Sequence, residues 1–202
     1  MLLQLLFTQP LVFFLVIVAL VISITIHEFA HAFVADRLGD DTPRLMGRVN
    51  LNPMSHLDPL GFGLLLIAGF GWGRPVLFNP INLQNPKRDS ALIALAGPAS
   101  NFILASVLSL LFHSGVVALP GFSAFLQLTI FYNVMLGVFN LIPVAPLDGA
   151  KVVGGLLPPN LYMQWAQIQN YGPFFLIFLI LTGSTGVLVT PVINVLLSLL
   201  GL

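Results

Sequence analysis

The sequence predicts an all-α polytopic membrane protein, a helical bundle with three core transmembrane helices and a short glycine-rich re-entrant hairpin. Of its 202 residues, 57% are hydrophobic and only 7% are charged, whereas soluble domains carry about 25% charged residues. Residues 1–26 contain no Asp, Glu, Lys, Arg or His. Long apolar runs recur to the end of the chain, with no internal repeat and no separate soluble region. Residues 1–202 are therefore interpreted as one membrane-embedded domain.

Four apolar segments are predicted to be membrane spans, because a transmembrane helix needs about 20 mostly apolar residues. They run from about Leu11 to Val34, Ser90 to Val117, Phe122 to Pro143 and Pro173 to Leu202. Pro120 and Gly121 predict a tight turn, which would make the second and third spans antiparallel neighbours. The C-terminal region (residues 172–202) contains Gly183, Gly186 and Pro191. It is therefore either one kinked helix or two short segments.

Two further segments are ambiguous. The stretch from Leu60 to Phe70 is apolar, rich in glycine and too short to cross, which favours a re-entrant or interfacial hairpin over a helix. The more polar connection from Pro158 to Tyr171 contains Tyr162 and Trp165, two side chains typical of anchors at the lipid surface.

The basic residues predict the orientation. Six of the seven lie between the first and second spans, and Lys151 follows the third. If the hairpin does not cross, all seven lie on one face, which the positive-inside rule assigns to the cytoplasm. Arg37, Arg44 and Arg48 are interpreted as topology determinants at the headgroup surface. We expect a multi-pass protein of a prokaryotic cell membrane, with its active site toward the cytoplasm.

Charge and cysteine content exclude other classes of partner and site. Seven basic and seven acidic residues balance, which gives no reason to expect a nucleic-acid partner. The chain has no cysteine, so disulfides and thiolate metal ligands are both excluded.

The stretch HEFAH near the end of the first span carries the chemistry. His27 and His31 are four residues apart, so on a helix they share one face and can bind one metal ion. Glu28, the only glutamate of the chain, lies beside them and can act as general base on a metal-bound water. Ionisable groups within a membrane helix are costly and typical of functional sites. The motif therefore predicts a hydrolytic metal site in the membrane.

A catalytic zinc usually takes three protein ligands, so a third is needed. The remaining candidates are His56, His113 and the aspartates. Asp148 follows two prolines just after the third span, on the same predicted face as the histidines, whereas His113 lies toward the opposite face. We therefore predict Asp148 as the third ligand. His56 and His113 are interpreted as ordinary interfacial residues.

Three ordered motifs, HEFAH, GPASN and NLIPVAPLDG, resemble the site-2 protease family of intramembrane zinc metalloproteases. The likeness covers about Ile26 to Lys151, and the chain looks like a short form without a PDZ or nucleotide-sensing CBS domain. The resemblance implies one zinc ion on His27, His31 and Asp148, with Glu28 as catalytic base. It also implies a membrane-spanning protein as the substrate, cleaved within the bilayer.

The same resemblance suggests roles for two amides and for the hairpin. Asn101 and Asn140 are expected to contact the substrate backbone or the oxyanion, although each could instead bridge helices by hydrogen bonds. The segment from Leu60 to Val76 is expected to offer an open strand edge to an extended substrate. Gly97 is expected to permit close helix packing.

Two other functions remain open from the residues alone. The first is a membrane zinc transporter, although further ligands across the second and third spans are limited to His113 and amides. The second is a catalytically inactive membrane scaffold, against which the intact ligands and base argue. The oligomeric state is not predicted.

Overall fold

The fold is built almost wholly from helices, as predicted. The computed structural model describes residues 2–69, 71–115 and 120–202, and across these ranges it shows one 3-10 helix, Pro80–Asn82, and no β-strand. The α-helices of these ranges are α1 Leu2–Thr8, α2 Pro10–Arg37, α3 Thr42–Leu45, α4 Pro53–His56, α5 Pro59–Ala68, α6 Pro86–His113, α7 Pro120–Asn140, α8 Asp148–Leu156, α9 Pro159–Gln169, α10 Gly172–Leu181 and α11 Ser184–Leu199.

Three of these helices are long and apolar enough to cross a bilayer, judged by length and composition over the described residues. They are α2, α6 and the part of α7 from Gly121 to Asn140. The 28 residues of α2 or of α6 extend about 42 Å, more than the hydrocarbon thickness of about 30 Å. Their outer faces expose apolar side chains such as Phe14 and Ile103. The chain is thus an integral membrane protein.

The three long helices contact one another pairwise. Small residues allow this close approach: a Cβ on Gly137 of α7 would lie 2.8 Å from the ring of Phe102 on α6. The largest buried apolar cluster joins α6, α7 and α11 and comprises Ala105, Ile130, Val134, Val138, Val189 and Ile193. Packing of small residues is the usual basis of helix association in lipid. The prediction that the second and third spans are neighbours is confirmed.

The helix ends differ from the predicted boundaries for local reasons. Helix α6 begins four residues early, because Pro86 suits the first helical position and the Asp89 carboxylate accepts a hydrogen bond from the Asn85 amide (2.8 Å). Helix α7 ends at Asn140, three residues early, because the residue before Pro143 is disfavoured in helical conformation.

The predicted turn before the third span is also revised. Pro120 and Gly121 form the first turn of α7 and not a separate turn. The predicted end of the second span at Val117 lies outside the described residues.

The predicted hairpin is present, but the preference for a non-helical first arm is wrong. Residues Pro59–Ala68 form α5, whose first turn is capped by Asp58 accepting from the Gly61 amide (2.7 Å). The chain then reverses at Gly69, which has φ +75°. An extended segment, residues 71–76 and here called the return arm, runs back beside α4. It pairs with residues 56–57 through one isolated antiparallel bridge, Leu57 to Gly73.

The C-terminal region is two helices with a sharp break between them, an arrangement that fits a broken span or a re-entrant loop. Helices α10 and α11 meet at 83°, with Gly183 at φ +71° in the break, and only the pair taken as a whole is long enough to pass as a span. The preceding polar connection is helix α9. Its Trp165 ring nitrogen donates to the Ala150 carbonyl (2.8 Å), so this residue packs on α8.

The buried carboxylate of Asp40 fixes the chain between the return arm and α6. Asp40 is fully buried and accepts bonds from the Thr42 amide and hydroxyl (3.2 and 2.6 Å), the Asn79 amide (2.6 Å) and the Asn82 side chain (2.7 Å). Burial opposes ionisation, but these donors outweigh it and hold the pKa of Asp40 below its usual range.

We predict that Asp40→Asn destabilises the protein at pH 7 by about 1–3 kcal/mol, because the new amide would face the Asn79 N–H group. The folded pKa is lowered, so the stabilisation is complete above the unfolded pKa of about 3.9 and is lost as the pH falls through the folded value. In thermal unfolding of detergent-solubilised protein, the difference in Tm between wild type and variant should narrow below about pH 4. Asp41→Asn, at an exposed neighbour, should leave Tm unchanged. A difference that stayed constant with pH would contradict the assignment.

Candidate active site

Three side chains from two separate elements converge on one point. The Nε2 atoms of His27 and His31 lie 3.0 Å apart, and Asp148 Oδ2 lies 3.1 and 3.2 Å from them. A tetrahedral ion with bonds of about 2.0 Å has ligand-to-ligand edges of about 3.3 Å. The three atoms thus form one face of such a tetrahedron. They are the one group of three potential ligands found among the described residues.

The outer nitrogen of His31 fixes its tautomer. Nδ1 lies 2.7 Å from the carbonyl oxygen of Ile93 on α6. A carbonyl oxygen only accepts, so Nδ1 carries the proton and donates it. The lone pair of Nε2 therefore points toward Asp148. This is the arrangement in which a histidine binds a metal through one nitrogen and is oriented through the other.

A longer chain of hydrogen bonds fixes His27. Asn133 Nδ2 donates to the Thr129 carbonyl (2.8 Å), so its Oδ1 accepts from Asn101 Nδ2 (2.7 Å). Asn101 Oδ1 is then the atom 2.7 Å from His27 Nδ1, which must donate. Asn101 and Asn133 are both fully buried. The network thus leaves the Nε2 lone pair of His27 free for a metal.

Gly97 on α6 lets the two imidazoles lie against the helix backbone. A Cβ at this position would lie 2.5 Å from His31 Cε1 and Nε2 and 2.6 Å from His27 Cε1. The expectation that Gly97 permits close packing is therefore confirmed, and the packing partners are the two histidine rings.

The unwound segment between α7 and α8 aims Asp148 at the histidines. Residues 141–147 are not helical, and α8 begins at Asp148 itself. Gly149 lies beneath the carbonyl groups of Leu141 and Ile142, where no Cβ would fit. Gln169 of α9 braces the segment by accepting from the Ala145 amide (2.6 Å).

Glu28 lies in the same cleft as the three ligand atoms. The cleft has a volume of about 630 Å³ and is lined mainly by α2, the return arm, α7, α8 and α10. The side chain of Glu28 is 13% exposed, and Gly73 of the return arm packs against it, such that a Cβ on Gly73 would lie 3.2 Å from Glu28 Oε1. The cleft therefore holds a second carboxylate besides that of Asp148. The ligand atoms of His27, His31 and Asp148 are here called the ligand triangle.

Comparison with known proteins identifies the family. The profile of peptidase family M50 matches residues 15–119 and 111–180, most of the chain. The chain belongs to peptidase family M50, the site-2 protease family. It is a zinc metalloprotease, as its resemblance implied.

Relatives named as metalloproteases cover most of the chain. "Putative zinc metalloprotease YwhC" of Bacillus subtilis (strain 168) is 42% identical over 173 residues, which are 82% of this chain and 78% of that protein. "Putative zinc metalloprotease Rip2" of Mycolicibacterium smegmatis is 34% identical over 200 residues, 91% of this chain and 70% of that protein. "Zinc metalloprotease MJ0392" of Methanocaldococcus jannaschii is 26% identical over 82% of this chain and 42% of its own length. No solved structure matches the chain.

The residues of the M50 peptidase fit the zinc ion that its family implies. Asp148 Oδ2 is buried without a hydrogen-bond partner in the described ranges. The two nearest polar atoms are imidazole nitrogens whose protons are held on the far side of each ring. Three lone pairs within 3.2 Å repel one another unless a cation lies between them. Two imidazoles and one carboxylate are a donor set that suits zinc.

The structure brings together some predicted residues and separates others. His27, Glu28, His31 and Asp148 share the cleft, and Asn140 lies on its wall. Asn101 differs from the expected substrate contact: both of its amide hydrogens are donated already, to the Ser23 carbonyl (3.1 Å) and to Asn133.

The two spare histidines lie apart from the ligand triangle. His113 is exposed and bonds the Ser109 carbonyl (2.8 Å). His56 is fully buried, which corrects its interpretation as an interfacial residue. Its Nε2 donates to the Asn50 carbonyl (2.7 Å), and burial lowers the pKa of its ring.

Sequence reasoning missed two residues of the site. Asn133, in the middle of α7, gave no signal, because a lone amide on a membrane helix has no motif. Arg48 was interpreted as a headgroup residue, but its side chain is 3% exposed and its Nη2 lies 3.8 Å from Glu28 Oε2. Its place before a segment dense in Asn and Pro was the available signal for a structured loop.

We predict that Gly97→Ala weakens zinc binding at least about tenfold, because the methyl group displaces both ligand rings. Zinc per protein in the purified membrane protein, by elemental analysis after dialysis, measures this. Gly186→Ala is the matched control, since nothing lies within 4 Å of its added Cβ. Both changes raise helix propensity by about 1 kcal/mol. Full zinc occupancy in Gly97→Ala would contradict the observed contact.

We also predict that Asn101→Ala lowers zinc affinity about 10–100-fold, because it removes the acceptor that orients His27. Competition with a chelator measures the affinity. Asn140→Ala removes an amide of the same size from the cleft wall and should leave zinc affinity unchanged. Equal effects of the two substitutions would contradict the orienting role of Asn101.

Proposed function

We propose that this M50 peptidase cleaves membrane-spanning segments of single-span proteins within the bilayer. The observation that carries the proposal is the position of the ligand triangle. Two ligands and the adjacent carboxylate lie on α2, a helix long and apolar enough to cross the membrane. His31 precedes the end of α2 at Arg37 by six residues, which is about 9 Å along the helix. A peptide bond must therefore enter the membrane region to reach the metal.

In this proposal the chain divides the chemistry among four residues. His27, His31 and Asp148 hold the zinc ion, which when bound acidifies a water molecule and polarises a carbonyl group. Glu28 accepts a proton from the attacking water molecule as the water oxygen bonds to the scissile carbonyl carbon. Glu28 then delivers that proton to the nitrogen as the carbon–nitrogen bond breaks.

A substrate helix must unwind locally before it can be cleaved, because every peptide group in a membrane helix is already hydrogen-bonded. The return arm passes over Glu28 in extended conformation and has one isolated bridge to a neighbour. We propose that the arm pairs with the unwound substrate, as in β-strand addition. Apolar cleft residues such as Met135, Phe139 and Leu176 suit the side chains of a membrane segment.

For Asn140 we retain the proposed contact with substrate. Its Nδ2 donates to the Leu136 carbonyl (3.0 Å) within its own helix, and it lies on the cleft wall. Nδ2 carries a second hydrogen that could bind a substrate carbonyl oxygen. Asn101 has no such hydrogen left, so we propose for it the orienting role described above.

We propose that the site faces the cytoplasm, because of the positions of the basic residues. Arg37, Arg44, Lys87 and Lys151 all belong to segments at the same end of α2 and α6 as the ligand triangle. The positive-inside rule places such an end in the cytoplasm.

We predict that Glu28→Gln keeps one zinc ion per chain and loses cleavage by a factor of about 10²–10⁴, because it removes only the general base. Mass spectrometry of a co-expressed single-span reporter measures cleavage, and elemental analysis measures zinc. His31→Ala is the comparison, which should lose zinc and cleavage together. Cleavage by Glu28→Gln at the wild-type rate would refute the proposed mechanism. Zinc transport into vesicles by Glu28→Gln would instead support a carrier.

A further inference from the structure

Arg48 is a buried cation whose guanidinium contacts the return arm and Glu28. Its backbone amide donates to the Pro43 carbonyl (2.8 Å), which holds the residue directly after the short helix α3. Its side chain then turns inward and is 3% exposed. Burying a cation costs free energy unless it is paired or hydrogen-bonded. The partners of its guanidinium therefore indicate why it is there.

Two of these partners are carbonyl groups of the return arm. Arg48 Nη1 donates to the Pro75 carbonyl (3.2 Å), and Nη2 donates to the Arg74 carbonyl. A guanidinium is planar and rigid, so two such bonds fix the arm in direction as well as in distance. The Arg74 amide is held from the other side, because it donates to the His56 carbonyl (2.8 Å).

The third partner is the catalytic base. Arg48 Nη2 lies 3.8 Å from Glu28 Oε2, within the range of an ion pair. Oε2 has no hydrogen-bond partner in the part of the chain that the structure describes. Gly73 of the arm packs against the other oxygen, Oε1. The Glu28 carboxylate is thus confined between the arm on one side and the guanidinium on the other.

The geometry points to Arg48 as a positioning residue that fixes the return arm and the Glu28 carboxylate in one arrangement. The inference rests on the proposed function, in which Glu28 is the base and the arm binds substrate. Arg48 contacts none of His27, His31 and Asp148, so it acts on the base and not on the metal. A base displaced by about 1 Å can lose two orders of magnitude in rate.

The test compares Arg48→Met with Arg48→Lys in the full-length protein. Arg48→Met keeps the volume of the stem and removes all donors, and we expect kcat to fall about 100-fold with zinc content unchanged and KM changed less than about threefold. Arg48→Lys keeps a cation beside Glu28 and one donor for the arm, so kcat should recover at least about tenfold over Arg48→Met. Arg44→Met is the matched control, because Arg44 lies four residues earlier, in α3, and its largely exposed side chain pairs with Asp36 instead of Glu28. Its kcat should equal that of the wild type.

A second measurement is independent of activity. Hydrogen exchange of the amides of Gly73, Arg74 and Val76, followed by mass spectrometry, should be at least about tenfold faster in Arg48→Met and unchanged in Arg44→Met. Cleavage by the wild type and by Glu28→Gln is measured beside these variants. If the wild type does not cleave the reporter, the proposed function fails, and this failure is separate from the result for Arg48.

Four results would overturn the role of Arg48 in an otherwise active enzyme. They are wild-type kcat in Arg48→Met, loss of zinc in that variant, no gain from lysine over methionine, and a defect confined to KM. Unchanged hydrogen exchange in the return arm would overturn the inference that Arg48 fixes the arm, even if the wild type proved inactive.

Discussion

The central constraint on this structure is that the fold holds together three lone pairs that repel one another. Two imidazole nitrogens and one carboxylate oxygen lie within 3.2 Å of one another. Each imidazole is prevented from turning its proton inward, by the Ile93 carbonyl for His31 and by Asn101 for His27. Only a cation makes such a cluster favourable. The fold therefore provides the metal affinity through the groups behind the ligands as much as through the ligands themselves.

The packing of the helices follows from this requirement. Helix α6 must approach α2 closely enough for Gly97 to touch both rings, and α7 must bring Asn133 to Asn101. The chain after α7 must leave its helix at once to turn Asp148 back toward α2. Prolines in the unwound segment and Gly149 at the start of α8 make that turn, and α9 braces it. The membrane bundle is thus arranged around the candidate metal site.

Sequence reasoning predicted what local patterns encode. The spacing of His27 and His31 gave a shared helix face, and the length of the apolar runs gave the three core helices. Asp148 was predicted from topology, because it follows the third span on the same predicted face as the histidines, after two prolines. These predictions depend on chemistry that a few neighbouring residues determine.

What the sequence could not show depends on contacts between distant segments. For Asn101 the sequence left open a substrate contact or a hydrogen bond between helices, because its partner Asn133 lies 32 residues away. Arg48 resembled a topology determinant, because only the folded loop turns it inward onto Glu28. The hairpin was expected without a helix, but Asp58 caps α5 and starts one in a segment too short to cross. Similarly, nothing local predicts the 83° angle between α10 and α11.

The most direct test of this account is X-ray absorption at the zinc edge of the purified protein in lipid. We expect one zinc per chain, four-coordinate, with two imidazole nitrogens among nitrogen and oxygen ligands at about 2.0–2.1 Å. Zinc bound without imidazole, in a six-coordinate shell of oxygen atoms, or no stoichiometric zinc at all, would contradict it.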